Sequence, residues 1–183
     1  METENCYDKL LRATKENDCD TVRLLIEQGA YTKPTFRDRR KYGSYNPLHV
    51  AAKDGNLEIL KILLTAKDAD VNVTGGNLQT PLHNAIGYPE VTQFLIGKGA
   101  TVNVQCCHGY TPLHFAVSNS KLESVKILVD NGASPYIASY PLCSSTPLDW
   151  ANGEHNEGKF KNDEITQYME SNYKPKMNRK YSD

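Results

Sequence analysis

The chain has no excess of charge of either sign: 21 Lys and Arg stand against 22 Asp and Glu, for a net charge of -1. Bulk electrostatics therefore gives no reason to expect a nucleic-acid partner. An apolar run is lacking too. The first residues, M-E-T-E-N-C-Y-D, are acidic and no hydrophobic stretch follows them, so neither a secretory signal nor a transmembrane helix is expected, and no membrane partner. The five cysteines are odd in number and irregularly spaced, which fits reduced thiols in cytoplasm or nucleus better than a disulfide framework. There is no C-x-x-C pair to complete a zinc site around Cys106, Cys107 and His108, because a structural zinc needs four ligands. No Gly-rich phosphate loop of the Walker or dinucleotide type is present, and Gly75-Gly76 alone reads as a turn. Nothing pairs a nucleophile with an orienting base and an oxyanion pocket. No catalytic residue, metal or cofactor is expected.

What the chain does have is a recurring phrase. In Y-T-P-L-H-F-A-V, from Tyr110, Thr111 suits a helix cap, Pro112 suits the first helical position, and Leu113, Ala116 and Val117 share a face. After a polar turn, Leu122, Val125, Ile127, Leu128 and Val129 make a second apolar stripe that Gly132 ends in the left-handed region. The opening phrase returns as N-P-L-H at Asn46, T-P-L-H at Thr80 and, altered, T-P-L-D at Thr146. A period of about 31 to 35 residues belongs to stacked two-helix units, none of which buries its apolar face alone.

In these residues the chain resembles the ankyrin repeat family, over about residues 7–172, through T-P-L-H and the following G-A-x-x-N. The resemblance implies an all-α ankyrin repeat solenoid of helix-turn-helix units joined by β-hairpin-like loops. One domain is expected over residues 1–173: an N-terminal cap at 6–32, repeats at 46–76, 80–108 and 111–140, and a C-terminal cap at 146–173. The charged tail, 174–183, is poor in apolar residues and expected to be disordered. In the family the phrase histidine ties neighbouring repeats by hydrogen bonds, so His49, His83 and His114 are expected to be structural. Lying about one repeat apart, they are too far from each other to share an ion.

Departures from the pattern carry the local information. The first repeat lacks the phrase, and Leu10, Leu11, Ala13, Val22, Leu24, Leu25 and Ile26 supply its apolar faces. Residues 33–45, K-P-T-F-R-D-R-R-K-Y-G-S-Y, form an inserted loop. It reads either as a solvated insertion or as a binding finger for an acidic protein surface, built on Arg37, Arg39, Arg40, Lys41, Tyr42 and Tyr45. Asp68 stands where a helix-ending Gly belongs, so that helix end should be distorted. Two residues are missing from the turn at 87–89, so the preceding helix should be short, with Pro89 opening the next.

The resemblance implies that a protein partner is gripped by the hairpin tips and the exposed positions of each first helix, together a concave face. The tips are Asn77, Leu78 and Gln79; Cys106, His108 and Tyr110; and Tyr136, Ser139 and Tyr140. The helix positions are Lys53, Asp54, Ser118 and Asn119. Phe115 and Trp150 fall where the family packs residues between repeats and are expected in the core. Asn72 and Asn103, with their flanking valines and upstream leucines, resemble targets of asparaginyl hydroxylase and equally the common repeat sequence. The expected function is a monomeric, intracellular, non-catalytic scaffold or inhibitor. The alternative is an adaptor or substrate read by a larger complex, a degradation receptor or asparaginyl hydroxylase, or a pathogen effector using the same surface.

Overall fold

The computed structural model describes residues 5–33, 46–140, 144–154 and 161–173. Most of the inserted loop and the charged tail lie outside the described residues. The chain divides into two compact bodies, Met1–Thr101 and Val102–Asp183. Regular structure among the described residues is entirely helical.

In the first body, α1 (Cys6–Lys15) and α2 (Cys19–Glu27) pair, followed by α3 (Pro47–Lys53) with α4 (Leu57–Leu63) and α5 (Pro81–Asn84) with α6 (Pro89–Gly97). First helices pack on first helices, α1 on α3 and α3 on α5, while α2 packs on α4 and α4 on α6. The core follows the helical period: Leu10, Leu11, Val22, Leu25, Leu48, Ile59, Leu60, Leu63, Leu82, Val91 and Leu95 are buried. Leu24 is a correction, because it is 53% exposed. One turn of α2 points Val22 and Leu25 inward, and Leu24 falls on the opposite side of that stripe.

In the second body α7 (Pro112–Ser118) pairs with α8 (Leu122–Asp130), and α9 (Pro147–Ala151) with α10 (Asp163–Asn172). Leu113, Ala116, Val125, Leu128, Ile165 and Met169 fill it.

Side-chain caps start these short helices. The Asn5, Asp18, Asn56 and Asn162 side chains each accept a backbone N–H from the first turn, at 2.8 to 3.1 Å. In α7 the cap is shared with the phrase histidine: His114 Nδ1 accepts the Thr111 N–H at 3.0 Å. That leaves the proton on Nε2, which donates to the Ser145 carbonyl at 3.1 Å. Asp149 does the same work in α9, accepting the Thr146 N–H at 2.7 Å while its own N–H donates to Thr146 Oγ1 at 3.1 Å.

The clipped turn behaves as expected. The helix α5 is four residues long, a 3-10 turn (Ala85–Gly87) follows, and Pro89 opens α6. Two devices fill the gap: buried Thr92 donates to the Ala85 and Tyr88 carbonyls at 3.1 Å, and the Tyr88 ring lies against Gly55 of the preceding turn.

At Asp68 the helix end is indeed irregular, since α4 stops at Leu63 and the chain descends through successive turns. The substitution also reverses a link between repeats. Elsewhere an asparagine reaches forward: Asn72 accepts the Thr101 N–H at 2.7 Å and donates to Gly99 O at 3.1 Å, and Asn103 treats Ser134 and Gly132 alike at 2.8 and 2.9 Å. In the first repeat the equivalent position is Lys33, which cannot accept. Asp68 reaches back instead, its carboxylate accepting from Thr32 N, Thr32 Oγ1 and Lys33 N at 3.0, 3.1 and 2.8 Å.

Candidate functional site

In the first body the exposed polar end of α3 carries Lys53 and Asp54, and the hairpin tip lies at residues 75–79. Gly75 N–H donates to Gln79 O at 2.7 Å, closing the tip. Between them Asn77 and Leu78 take left-handed backbone, with φ of 58° and 59°. For leucine this conformation costs about 1 kcal/mol, and its side chain is left 54% exposed. Gln79 O also accepts from His49 Nε2 at 2.9 Å, which anchors the tip to α3.

His49 differs from the other two phrase histidines. In their repeats Nδ1 is held by the capping threonine, but Asn46 turns its side chain elsewhere: Oδ1 accepts Leu48 N–H at 2.8 Å and Nδ2 donates to Thr32 O at 2.7 Å. His49 Nδ1 is consequently a buried atom without a hydrogen-bond partner among the described residues. Burial holds its pKa below the ordinary histidine value, against the smaller upward pull of Gln79 O.

In the second body two tips meet. Cys106 N–H donates to Tyr110 O at 3.0 Å, Tyr140 N–H donates to His108 O at 3.1 Å, and Gln105 Nε2 bridges Gly109 O and Ala138 O at 2.8 and 3.0 Å. The meeting buries two residues that the sequence placed on the binding surface. Cys106 is 1% exposed and Ser139 is 4% exposed. Cys106 lies where the tip closes onto Tyr110, and Ser139 gives both N–H and hydroxyl to Ser145 O at 3.0 and 3.1 Å. His108 is exposed and Tyr110 half-buried, their rings stacked 6.0 Å apart. Tyr136 and Tyr140 are exposed, at 56% and 51%.

Phe115 and Trp150 are half-buried rather than core. Tyr110 lies 5.1 Å from the Trp150 ring and 6.4 Å from Phe115, so these side chains form an aromatic shelf under the tip. Ser118 and Asn119 are exposed, but the Ser118 hydroxyl and Asn119 Nδ2 bond the Phe115 carbonyl at 3.1 and 2.8 Å. Asn72 is half-buried and Asn103 exposed, each engaged between repeats as above. Arg37, Arg39, Arg40, Lys41, Tyr42 and Tyr45 lie outside the described residues.

Two aromatics, the exposed Tyr88 and the half-buried Tyr173, escaped the reading of the sequence. Tyr88 is 43% exposed beside the tip-bearing repeats, and its signal was the clipped turn that contains it. Tyr173 packs edge-on against Tyr136 at 5.6 Å, and no pattern in the sequence marks that contact. Among the described residues, no group of three or more His, Cys, Asp or Glu is placed to hold a metal. No helix there is long and apolar enough to cross a membrane.

The family described as ankyrin repeats (3 copies) matches residues 10–106 and 74–139. The chain is 35% identical over 123 residues to Ankyrin repeat domain-containing protein 53 of Macaca fascicularis, covering 64% of this chain and 24% of that one. It is 29% identical over 164 residues to Transient receptor potential cation channel subfamily A member 1 of Homo sapiens, covering 66% and 14%. Zinc finger CCCH domain-containing protein 30 of Arabidopsis thaliana is 29% identical over 181 residues, covering 85% and 25%. The chain thus spans a quarter or less of the length of each of these relatives.

Proposed function

Since the chain belongs to the ankyrin repeat family, whose members are in general protein-interaction modules without catalytic activity of the repeats, we propose that it is a non-catalytic scaffold, adaptor or inhibitor that binds another protein through its hairpin tips and first helices. The observation that carries this reading is the exposed, large side chains at the tips: Leu78, Tyr136 and Tyr140, each more than half exposed. Leucine and tyrosine left in water at hairpin turns cost solvation free energy that a partner would recover, and tyrosine supplies large contact area at low entropic cost. The strained backbone at Leu78 supports it further, because left-handed non-Gly residues cluster at functional sites.

Lys53 and Asp54 in the first body, and His108, Ser118 and Asn119 in the second, would add polar contacts, and the basic insertion from Arg37 to Tyr45 would meet an acidic patch on the partner. The setting is proposed to be the cytoplasm or nucleus, in keeping with unspaced cysteines. Affinity capture with mass spectrometry tests the proposal, comparing the native chain with Leu78→Asp/Tyr140→Ala and with Arg39→Ala/Arg40→Ala/Tyr42→Ala. Proteins held by the native chain should be lost from both variants while helical content is unchanged. Retention of the same proteins by the first variant would sink the tip reading, and retention by the second would sink the acidic-patch reading.

A further inference from the structure

The first body has a second feature, away from its hairpin tip. Because α4 ends early and residues 64–70 descend through turns, a groove of 620 Å³ opens between that descent and α6. Its volume falls in the range of ligand sites, about 300–1,000 Å³. Leu64, Ala69, Val71 and Phe94 make its apolar lining, and all four are half-buried. Lys61 and Lys98 stand at its sides.

The charges around it do not cancel. Glu58 is shared by Arg23 at 3.4 Å and Lys61 at 3.9 Å, while Asp70 accepts Asn72 N–H at 2.9 Å and pairs with Lys33 at 3.7 Å. Of the charged residues that line the groove, Lys61 and Lys98 are cationic and Asp70 alone is anionic. Lys98 has no carboxylate partner among the described residues; its ammonium rests 5.7 Å from the Phe94 ring centre, one helical turn back. An uncovered apolar lining flanked by a net positive charge of one is complementary to a chain segment with an aliphatic side chain between carboxylates.

We infer that this groove, flanked by Lys61 and Lys98 and lined by Phe94, Leu64 and Val71, docks an acidic peptide segment of a partner protein through one or two aliphatic side chains. The site is separate from the hairpin tips, so a partner could engage both, and linking two weak contacts raises avidity without new contacts at either. It stands whether or not the tips bind.

The test uses the isotope-labelled full chain and three synthetic peptides, DDLLDD, DDDDDD and KKLLKK, followed through backbone amide resonances. DDLLDD is expected to give saturable shifts at residues 61–71 and 94–98, weakened about tenfold by Lys61→Glu/Lys98→Glu, the loss anticipated for two exposed charge contacts reversed in sign. Both lysines are exposed, so the variant should keep its fold. Absence of saturable shifts there at millimolar DDLLDD would overturn the inference. So would an equal response to DDDDDD or KKLLKK, or shifts produced by phosphatidylserine vesicles and not by the peptide, which would reassign the groove to a lipid surface.

Discussion

Gly109→Ala should be far more damaging than Gly99→Ala, although both glycines have left-handed backbone, with φ of 76° and 90°. A methyl group at Gly99 would meet nothing within 4 Å, so only the backbone preference is lost, about 1 kcal/mol. At Gly109 the same methyl would lie 2.7 Å from Tyr140 N and 3.0 Å from Ser139 Cα. These are main-chain atoms and cannot rotate away. The two tips must separate by some tenths of an ångström, straining the Tyr140 N–H to His108 O bond of 3.1 Å. Overpacking of this kind costs about 1–3 kcal/mol and a weakened hydrogen bond about 1 kcal/mol. The net difference between the variants is then about 2–4 kcal/mol, or roughly 4–16 °C in Tm for a chain of this size. Urea unfolding followed by far-UV circular dichroism measures it, with equal slopes as the check that the transitions are comparable. Tyr140→Ala should rescue Gly109→Ala only in part, since it removes the ring carbon at 2.8 Å and leaves the two main-chain obstacles. Gly55 supplies the contrast, because its three nearest obstacles are all atoms of the Tyr88 ring; Tyr88→Ala should restore most of what Gly55→Ala loses. Equal midpoints for Gly109→Ala and Gly99→Ala would refute the close approach of the tips.

Asp68→Gly, which restores the usual repeat residue, should lower stability by about 1–3 kcal/mol, because the Thr32 and Lys33 N–H groups lose their acceptor; faster hydrogen exchange at those two amides is the direct readout. Leu78→Gly should raise stability by about 0.5–1 kcal/mol by relieving its left-handed backbone and, on the proposed function, weaken partner binding in a pull-down. The depressed pKa of His49 makes the unfolded chain the better proton acceptor, so stability should be full above the ordinary value of 6.5 and fall as pH drops below it. The slope is at most about 1.4 kcal/mol per pH unit, and His49→Gln, which keeps a donor for Gln79 O, should flatten it in urea titrations across that range.

The pattern of short-range signals was readable in the residues themselves. Thr111, Pro112 and His114 announce a helix start by chemistry that acts within one turn, and the missing residues before Pro89 announce a short α5. The role of Asp68 was only half legible: the lost glycine forecast an irregular helix end, but the carboxylate's hold on Thr32 and Lys33 spans 36 and 35 positions. No local pattern reports a contact at that separation. Exposure was legible at Leu78, Tyr136 and Tyr140 and misread at Cys106 and Ser139, which share their hairpins with exposed residues.

By itself, then, the sequence determined the repeat, the caps, the histidine links and which turns depart from the rule, because each depends on groups a few residues apart or on one period. Which tip residues face water was decided only by tertiary structure. Where Tyr140 crosses to His108 and Ser139 to Ser145, the partner main chain covers one side of each hairpin, and burial there is a property of two segments together. The groove beside Phe94 has the same origin, since an early helix end becomes an opening only where the next helix stands against it.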